Sequence, residues 1–281
     1  MRLGILTPVV TLNPRFHNPW EREGTVDDVA TVAEAADRLG YHHLTCSEHV
    51  AVPEQYAATR GTRYWDPLST LGFLAARTTR IRLAVHVAVL GYHHPLDIAK
   101  RYGTLDRLSG GRLILGVGVG SLAEEFALLG ADFEGRGPRA DDALRAVRAA
   151  LGRRVPSYAG AHYAFDGFVV DPHAVQDRVP IWVGGRTARS LRRALELGDG
   201  WAPFGLAPDD VRTLLDRWGR PGDVVLAPEP ALDPMGDPEG AATVVERWAA
   251  SGATALNVRM AHRSPAHCCE QLEALLDVID R

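Results

Sequence analysis

The chain has 281 residues, of which 46% are hydrophobic and 23% charged, and its formal net charge is −4. Charges of both signs are spread along the chain without runs, which argues against a nucleic-acid partner. No apolar segment reaches the roughly 20 residues of a membrane span, and the N-terminus lacks the pattern of a signal peptide. We therefore expect a cytoplasmic protein with no membrane partner.

Short β-rich segments alternate with longer amphipathic segments from end to end, the pattern of parallel strands joined by crossover helices. Eight segments have the composition of strands: 3–9, 43–47, 81–90, 113–117, 180–183, 200–203, 224–227 and 255–260. Eight such units predict an α/β fold, a (β/α)8 TIM barrel that forms a single domain over residues 1–281. The active site of such a barrel lies at the carboxyl ends of the strands.

Residues typical of helix ends agree with this prediction. Thr25 and Asp28 have the spacing of a capping box, and proline is suited to the first helical position. Helices are predicted after Thr25, Asp66 and His94, and at 141–151, 188–197, 208–218, 239–251 and 265–279. The segment 153–179 is too long for a simple loop, and it predicts a small β-hairpin between the fourth and fifth strands.

The second predicted strand ends in Glu48 and His49. A carboxylate beside a histidine at a barrel mouth can move a proton near neutral pH, because the two groups influence each other's protonation. The alternative is that His49 is an ordinary polar residue in a loop. We predict catalytic roles for both residues.

Glycine-rich turns follow the fourth and fifth predicted strands, each close to a helix start. Glycine allows close approach of backbone to a ligand, and free amides at a helix N-terminus bind anions such as phosphate. Two such turns on neighbouring strands would converge on one phosphate-bearing cofactor. The predicted cofactor-binding residues here are Gly118, Val119, Gly120, Ser121, Gly184, Gly185, Arg186 and Thr187.

Histidines cluster around the third predicted strand, where His86 lies in an apolar run and His93 and His94 follow. A histidine in an apolar run is usually a hydrogen-bonded core residue. Together with Glu48 and His49 these side chains show no HExxH or close His-x-His spacing, and the three cysteines have no zinc spacing. We predict no metal site.

Four segments resemble the luciferase-like monooxygenases, and within that family the branch of F420-dependent oxidoreductases. They are SEHV at 47–50, RTTRIRLAVHVAVLGYHHP at 77–95, LDRLSGGRLILGVGVG at 105–120, and VPIWVGG with DGWAP within 179–203. The resemblance implies a TIM barrel that pairs as a homodimer through its second and third helices, with 67–78 as a candidate face; ordinary barrel packing is the alternative for that segment.

The same resemblance implies roles for individual residues. His49 matches the active-site histidine beside the deazaflavin, and Glu48 takes the place of its acidic neighbour. Backbone at Val119, Gly120, Gly184 and Gly185 would bind the cofactor phosphate. A non-prolyl cis peptide between His86 and Val87 would form a bulge behind the ring. Ser121 stands where sugar-phosphate dehydrogenases of the branch carry a proton-donating glutamate, which disfavours glucose 6-phosphate as substrate.

The leading hypothesis is hydride transfer between coenzyme F420 and a small organic substrate, with His49, oriented by Glu48, handling the accompanying proton. A monooxygenase that uses reduced FMN and oxygen is the main alternative. A non-catalytic cofactor-binding protein and a metal hydrolase on the same barrel are further ones. Substrate specificity is expected in the segment 51–64 and in the chain after residue 203.

Overall fold

The computed structural model describes residues 1–279 and contains ten strands and ten α-helices in that range. The strands are β1 (Arg2–Leu6), β2 (His43–Cys46), β3 (Arg82–Val89), β4 (Leu113–Gly118), β5 (Tyr158–Ala159), β6 (Ala164–Phe165), β7 (Ile181–Gly184), β8 (Gly200–Ala202), β9 (Asp223–Leu226) and β10 (Ala255–Val258). The helices are α1 (Val26–Leu39), α2 (Ala57–Arg60), α3 (Pro67–Arg77), α4 (Pro95–Leu108), α5 (Ala123–Leu128), α6 (Arg136–Ala150), α7 (Ala188–Leu197), α8 (Pro208–Trp218), α9 (Pro238–Ala250) and α10 (Pro265–Ile279).

Eight parallel strands close into a barrel in the order β1, β10, β9, β8, β7, β4, β3, β2. The predicted (β/α)8 TIM barrel is confirmed, and all eight predicted strands are present within a few residues of their expected ends. The antiparallel pair β5 and β6 forms the predicted hairpin between the fourth and fifth barrel strands. Within residues 1–279, no helix combines the length and the apolar character needed to cross a membrane.

The first strand is shorter than its sequence suggests. The prediction extends it to Val9, but β1 ends at Leu6. Pro8 has no amide hydrogen for a ladder bond, and Val9 adopts a positive φ of 72°. The Val9 amide instead donates to the buried carboxylate of Glu21, at 2.9 Å. A side chain of the first loop thus ends the strand, which strand propensity alone does not reveal.

Two helical segments also differ from the prediction. The helix expected at 141–151 begins five residues earlier, at Arg136, after Gly135 with a positive φ of 68°. The short helix α2 lies in the segment 51–64, for which no element is predicted. On α3, Leu71 and Leu74 are fully buried within the chain. These two residues pack against the barrel of their own chain, which is the alternative to a dimer face given above for 67–78.

Apolar side chains pack on both faces of the barrel wall. The larger cluster lies between strands and helices, and the smaller cluster fills the barrel interior with Ala84, Ile114, Trp182, Ala202, Val225 and Ala255. The indole of Trp182 donates to Asp223 at 2.9 Å. The His43 ring packs edge-on against the indole, with 4.9 Å between the ring centres. Trp182 is therefore part of the closed interior of the barrel.

A bulge interrupts β3 where it faces β4. Val85 pairs with Leu115 and Ala88 with Val117, so two residues, His86 and Val87, lie opposite the single residue Gly116. The peptide bond between His86 and Val87 is cis, as the family resemblance implies. The bulge places the Val87 side chain against Gly118 and Gly184 of the neighbouring strands.

Candidate active site

The two glycine-rich turns share one mouth of the barrel. β4 and β7 are hydrogen-bonded neighbours, with Val117 opposite Val183, so both turns leave the sheet side by side. Gly120 and Gly185 have positive φ values of 77° and 117°, a backbone conformation that glycine adopts without strain. The two turns therefore lie side by side, and their convergence on one cofactor stays a prediction.

The Val87 side chain lies over the glycines of these strand ends. A Cβ atom on Gly118 would come 2.7 Å from Cγ2 of Val87, and one on Gly184 would come 2.9 Å from its Cγ1. Both distances are too short for carbon atoms in contact. Gly118 and Gly184 are themselves buried, so their missing side chains make room for the bulge. Val119, Gly120 and Gly185 are more accessible.

The turn after β7 is held by the helix that follows it. Thr187 and Ser190 form a capping box at the start of α7, so the Thr187 hydroxyl and amide are engaged in capping. The indole of Trp201 donates to the Gly185 carbonyl at 3.0 Å and to Ser190 Oγ at 3.1 Å. These bonds fix the turn and leave the exposed side chain of Arg186 beside it.

The turn after β4 is contacted by Arg136, a residue that no sequence pattern indicated. Its Nε donates to the Gly120 carbonyl at 3.2 Å, and its guanidinium stacks 3.6 Å from the centre of the Phe133 ring. This stacking holds a cation at the glycine turn. Ser121, next in the chain, is exposed.

A cleft of about 360 Å³ lies between the connection from β8 to α8, the segment after β9, and α9. Its lining residues are Gly205, Leu206, Ala207, Pro208, Glu229, Pro230, Val244, Arg247 and Trp248. A Cβ atom on Gly205 would lie 3.9 Å from a guanidinium nitrogen of Arg186. The mostly apolar cleft therefore lies near the exposed guanidinium of Arg186.

His49 lies at the mouth after β2, but its acidic partner differs from the predicted one. Nδ1 of His49 is 2.8 Å from Oε2 of Glu125, a residue of α5 that is only 1% exposed. Tyr92 also donates to this oxygen at 2.8 Å, and the amide of Val50 donates to Oε1 at 2.6 Å. The Tyr64 ring packs edge-on against His49 at 4.6 Å.

Glu48 binds elsewhere. Its Oε1 accepts a hydrogen bond from Nε2 of His93 at 2.8 Å, and its Oε2 accepts one from the Val89 amide at 2.6 Å. The expectation that Glu48 orients His49 is therefore wrong in this structure. Successive residues leaving β2 point in different directions, and Glu48 joins the end of β2 to the end of β3.

Burial lowers the pKa of His86 to about 4, so this imidazole is neutral at physiological pH and adds no charge to the mouth. Among residues 1–279, no three His, Cys, Asp or Glu side chains are arranged to hold a metal ion.

Comparisons with known proteins agree with this architecture. A model of the luciferase-like monooxygenase family matches residues 1–223. An uncharacterized protein of Mycobacterium tuberculosis is 31% identical over 262 residues, which cover 88% of this chain and 92% of that protein.

Two solved structures share the fold. The monooxygenase RslO1 from Streptomyces bottropensis superposes with a TM-score of 0.80 at 20% identity, covering 99% of this chain and 98% of the other. An F420-dependent secondary alcohol dehydrogenase in complex with an F420–acetone adduct gives 0.76 at 12% identity, with the same coverage. The family match extends over most of the barrel, including both glycine turns and the His86–Val87 bulge. The chain belongs to the luciferase-like monooxygenase family.

Proposed function

We propose that this protein is an oxidoreductase that transfers a hydride between the deazaflavin coenzyme F420 and a small organic substrate. One observation carries the proposal: His49, the His86–Val87 bulge and the two glycine turns all border the same barrel mouth. Family membership and the fold shared with an F420-dependent secondary alcohol dehydrogenase support it.

The residues of the mouth fit a cofactor with a planar ring and a phosphate. Backbone amides at Val119, Gly120 and Gly185, together with the guanidinium groups of Arg136 and Arg186, suit a phosphodiester. The bulge contributes His86 and Val87, two neutral side chains, against which a planar ring could pack. Any side chain at position 118 or 184 would displace Val87, so these glycines are needed for that surface.

Held at this mouth, coenzyme F420 would supply the hydride chemistry. The chain contributes position and proton handling. His49 holds or releases the accompanying proton at Nε2, because its Nδ1 is engaged by Glu125. Glu48 anchors Val89, the last residue of the strand that carries the bulge. The apolar cleft beside Arg186 offers space for the organic substrate.

A monooxygenase that uses reduced FMN and oxygen is the second candidate. The fold shared with the monooxygenase RslO1, with a TM-score of 0.80, favours it. The two candidates differ in ring chemistry, since only the flavin reaction consumes oxygen. They need the same phosphate-binding turns.

Titration of the purified protein with F420 and with FMN tests the choice. We expect tighter binding of F420, and Arg136→Ala should weaken it about 10- to 100-fold because a hydrogen bond to a charged group is lost. Arg212→Ala is the matched control, since Arg212 is paired on the exposed face of α8. Tighter binding of FMN with substrate-dependent oxygen uptake would overturn the proposal in favour of the second candidate.

The homodimer implied by the family resemblance stays a prediction. With Leu71 and Leu74 buried in the barrel, the half-buried residues Leu68 and Phe73 are what α3 offers to a partner copy. Light scattering of the purified protein distinguishes the mass of a monomer from that of a homodimer.

A further inference from the structure

The carboxylate of Glu125 is saturated by donors from two parts of the chain, residues 49–51 and Tyr92. Oε2 receives the Tyr92 hydroxyl and contacts Nδ1 of His49, each at 2.8 Å. Oε1 receives the amides of Val50 at 2.6 Å and Ala51 at 3.2 Å. Every neighbour of this buried group is therefore placed as a donor.

These contacts decide the charge of Glu125. Burial opposes ionisation, but the hydrogen bonds from Tyr92, His49 and the Val50 amide outweigh it and hold the pKa of Glu125 below its ordinary value. The group is therefore ionised at neutral pH. An ionised carboxylate can only accept hydrogen bonds, so the His49 nitrogen that faces it must carry the hydrogen.

We propose that Glu125 is a positioning residue that holds His49 in the tautomer protonated at Nδ1, with the lone pair on Nε2 presented to the barrel mouth. Hydrogen bonds of His49 within residues 1–279 all involve Nδ1, and the ring of Tyr64 packs against the imidazole. In this state Nε2 is a proton acceptor. The catalytic meaning of this role rests on the proposed function, in which His49 handles the proton.

The substitution Glu125→Gln gives a sharp test, because the geometry fixes how the new amide must point. The Val50 and Ala51 amides require an oxygen at the Oε1 position. The amide nitrogen must then face His49 and donate to Nδ1, which moves the imidazole hydrogen to Nε2. A wrong tautomer lowers turnover while leaving the binding surfaces in place.

Glu124→Gln is the matched control. Glu124 occupies the same turn of α5 and contacts the same segment, through the Tyr56 hydroxyl at 3.1 Å and Gln55 at 3.4 Å. It is exposed and does not touch His49. Glu125→Asp retains an acceptor-only carboxylate, and it should preserve the wild-type tautomer.

The experiment is long-range ¹H–¹⁵N NMR of the histidine side chains in the full chain without cofactor, with His49 assigned by its loss in His49→Gln. The wild type, Glu124→Gln and Glu125→Asp should show hydrogen on Nδ1, and Glu125→Gln should show it on Nε2. With the cofactor that binds, Glu125→Gln should lower kcat about 10²- to 10⁴-fold, with little change in KM.

An Nε2-protonated wild type, or a Glu125→Gln protein that keeps Nδ1–H, would overturn the proposal. The wild-type spectrum decides the first outcome even if Glu125→Gln does not fold. Since the spectra need no cofactor, a preference for FMN in the binding titration would overturn the proposed function and leave the tautomer result standing.

Discussion

Glu48 and His93 are joined by a hydrogen bond of 2.8 Å between Oε1 and Nε2, although 45 residues separate them in the chain. The same carboxylate accepts the Val89 amide. The acidic residue beside His49 thus fastens two neighbouring strand ends together. This arrangement gives Glu48 a structural role, and the proposed function leaves proton transfer to His49 alone.

The substitution Glu48→Gln tests this division. The carboxylate is 8% exposed and makes two hydrogen bonds, so we expect a loss of about 1–3 kcal/mol in unfolding free energy, measured by urea denaturation. Turnover per folded molecule should change little. A large fall in kcat at unchanged stability would instead place Glu48 in the chemistry.

The substitution His49→Asn, in contrast, should mainly lower turnover. We expect turnover to fall about 10²- to 10⁴-fold, the usual contribution of a proton-transferring group. Cofactor affinity, measured by fluorescence titration, should be nearly unchanged because the glycine turns proposed to bind the phosphate are untouched. Activity equal to the wild type would support a protein that binds the cofactor without using His49.

The contact between Gly118 and Val87 predicts a specific coupling. Gly118→Ala should destabilise the protein by about 1–3 kcal/mol, because the new methyl group meets Val87 Cγ2 at 2.7 Å. Adding Val87→Ala should relieve the clash, so the two changes are expected to be non-additive in a double-mutant cycle. Gly72→Ala is the control, since a Cβ there meets nothing within 4 Å. Simple additivity would show that Val87 does not fill this space.

Acid should destabilise the protein in part through His43. Burial, with a smaller contribution from the neighbouring His42, lowers the pKa of the His43 imidazole to about 3. The unfolded chain binds this proton near pH 6.5, so the stability from His43 is full above that pH and is lost as the pH falls toward 3.

One such group changes the free energy of unfolding by about 1.4 kcal/mol per pH unit below pH 6.5. Unfolding free energies at several pH values should therefore fall less steeply in His43→Gln than in the wild type. His162→Gln is a control at an exposed position. Equal slopes in all three proteins would contradict the prediction.

The barrel could be predicted from sequence because strand and helix patterns are local, and each unit of the fold repeats them. The partner of His49 could not. Glu125 follows Glu124 in the first turn of a short helix, where acidic residues are common for a reason unrelated to any site, the favourable helix dipole. Choosing between the two requires the three-dimensional position of α5 relative to a loop about 75 residues earlier. Arg136 was missed for the same reason, since only the fold brings it to Gly120.

Positions 116, 118 and 184 at the paired strand ends are all glycine. This side of the mouth therefore consists of main chain and the side chain of Val87. Mutation can change little there without breaking the wall. If the proposed function holds, we therefore expect substitutions that change substrate choice to lie in the other connections around the mouth.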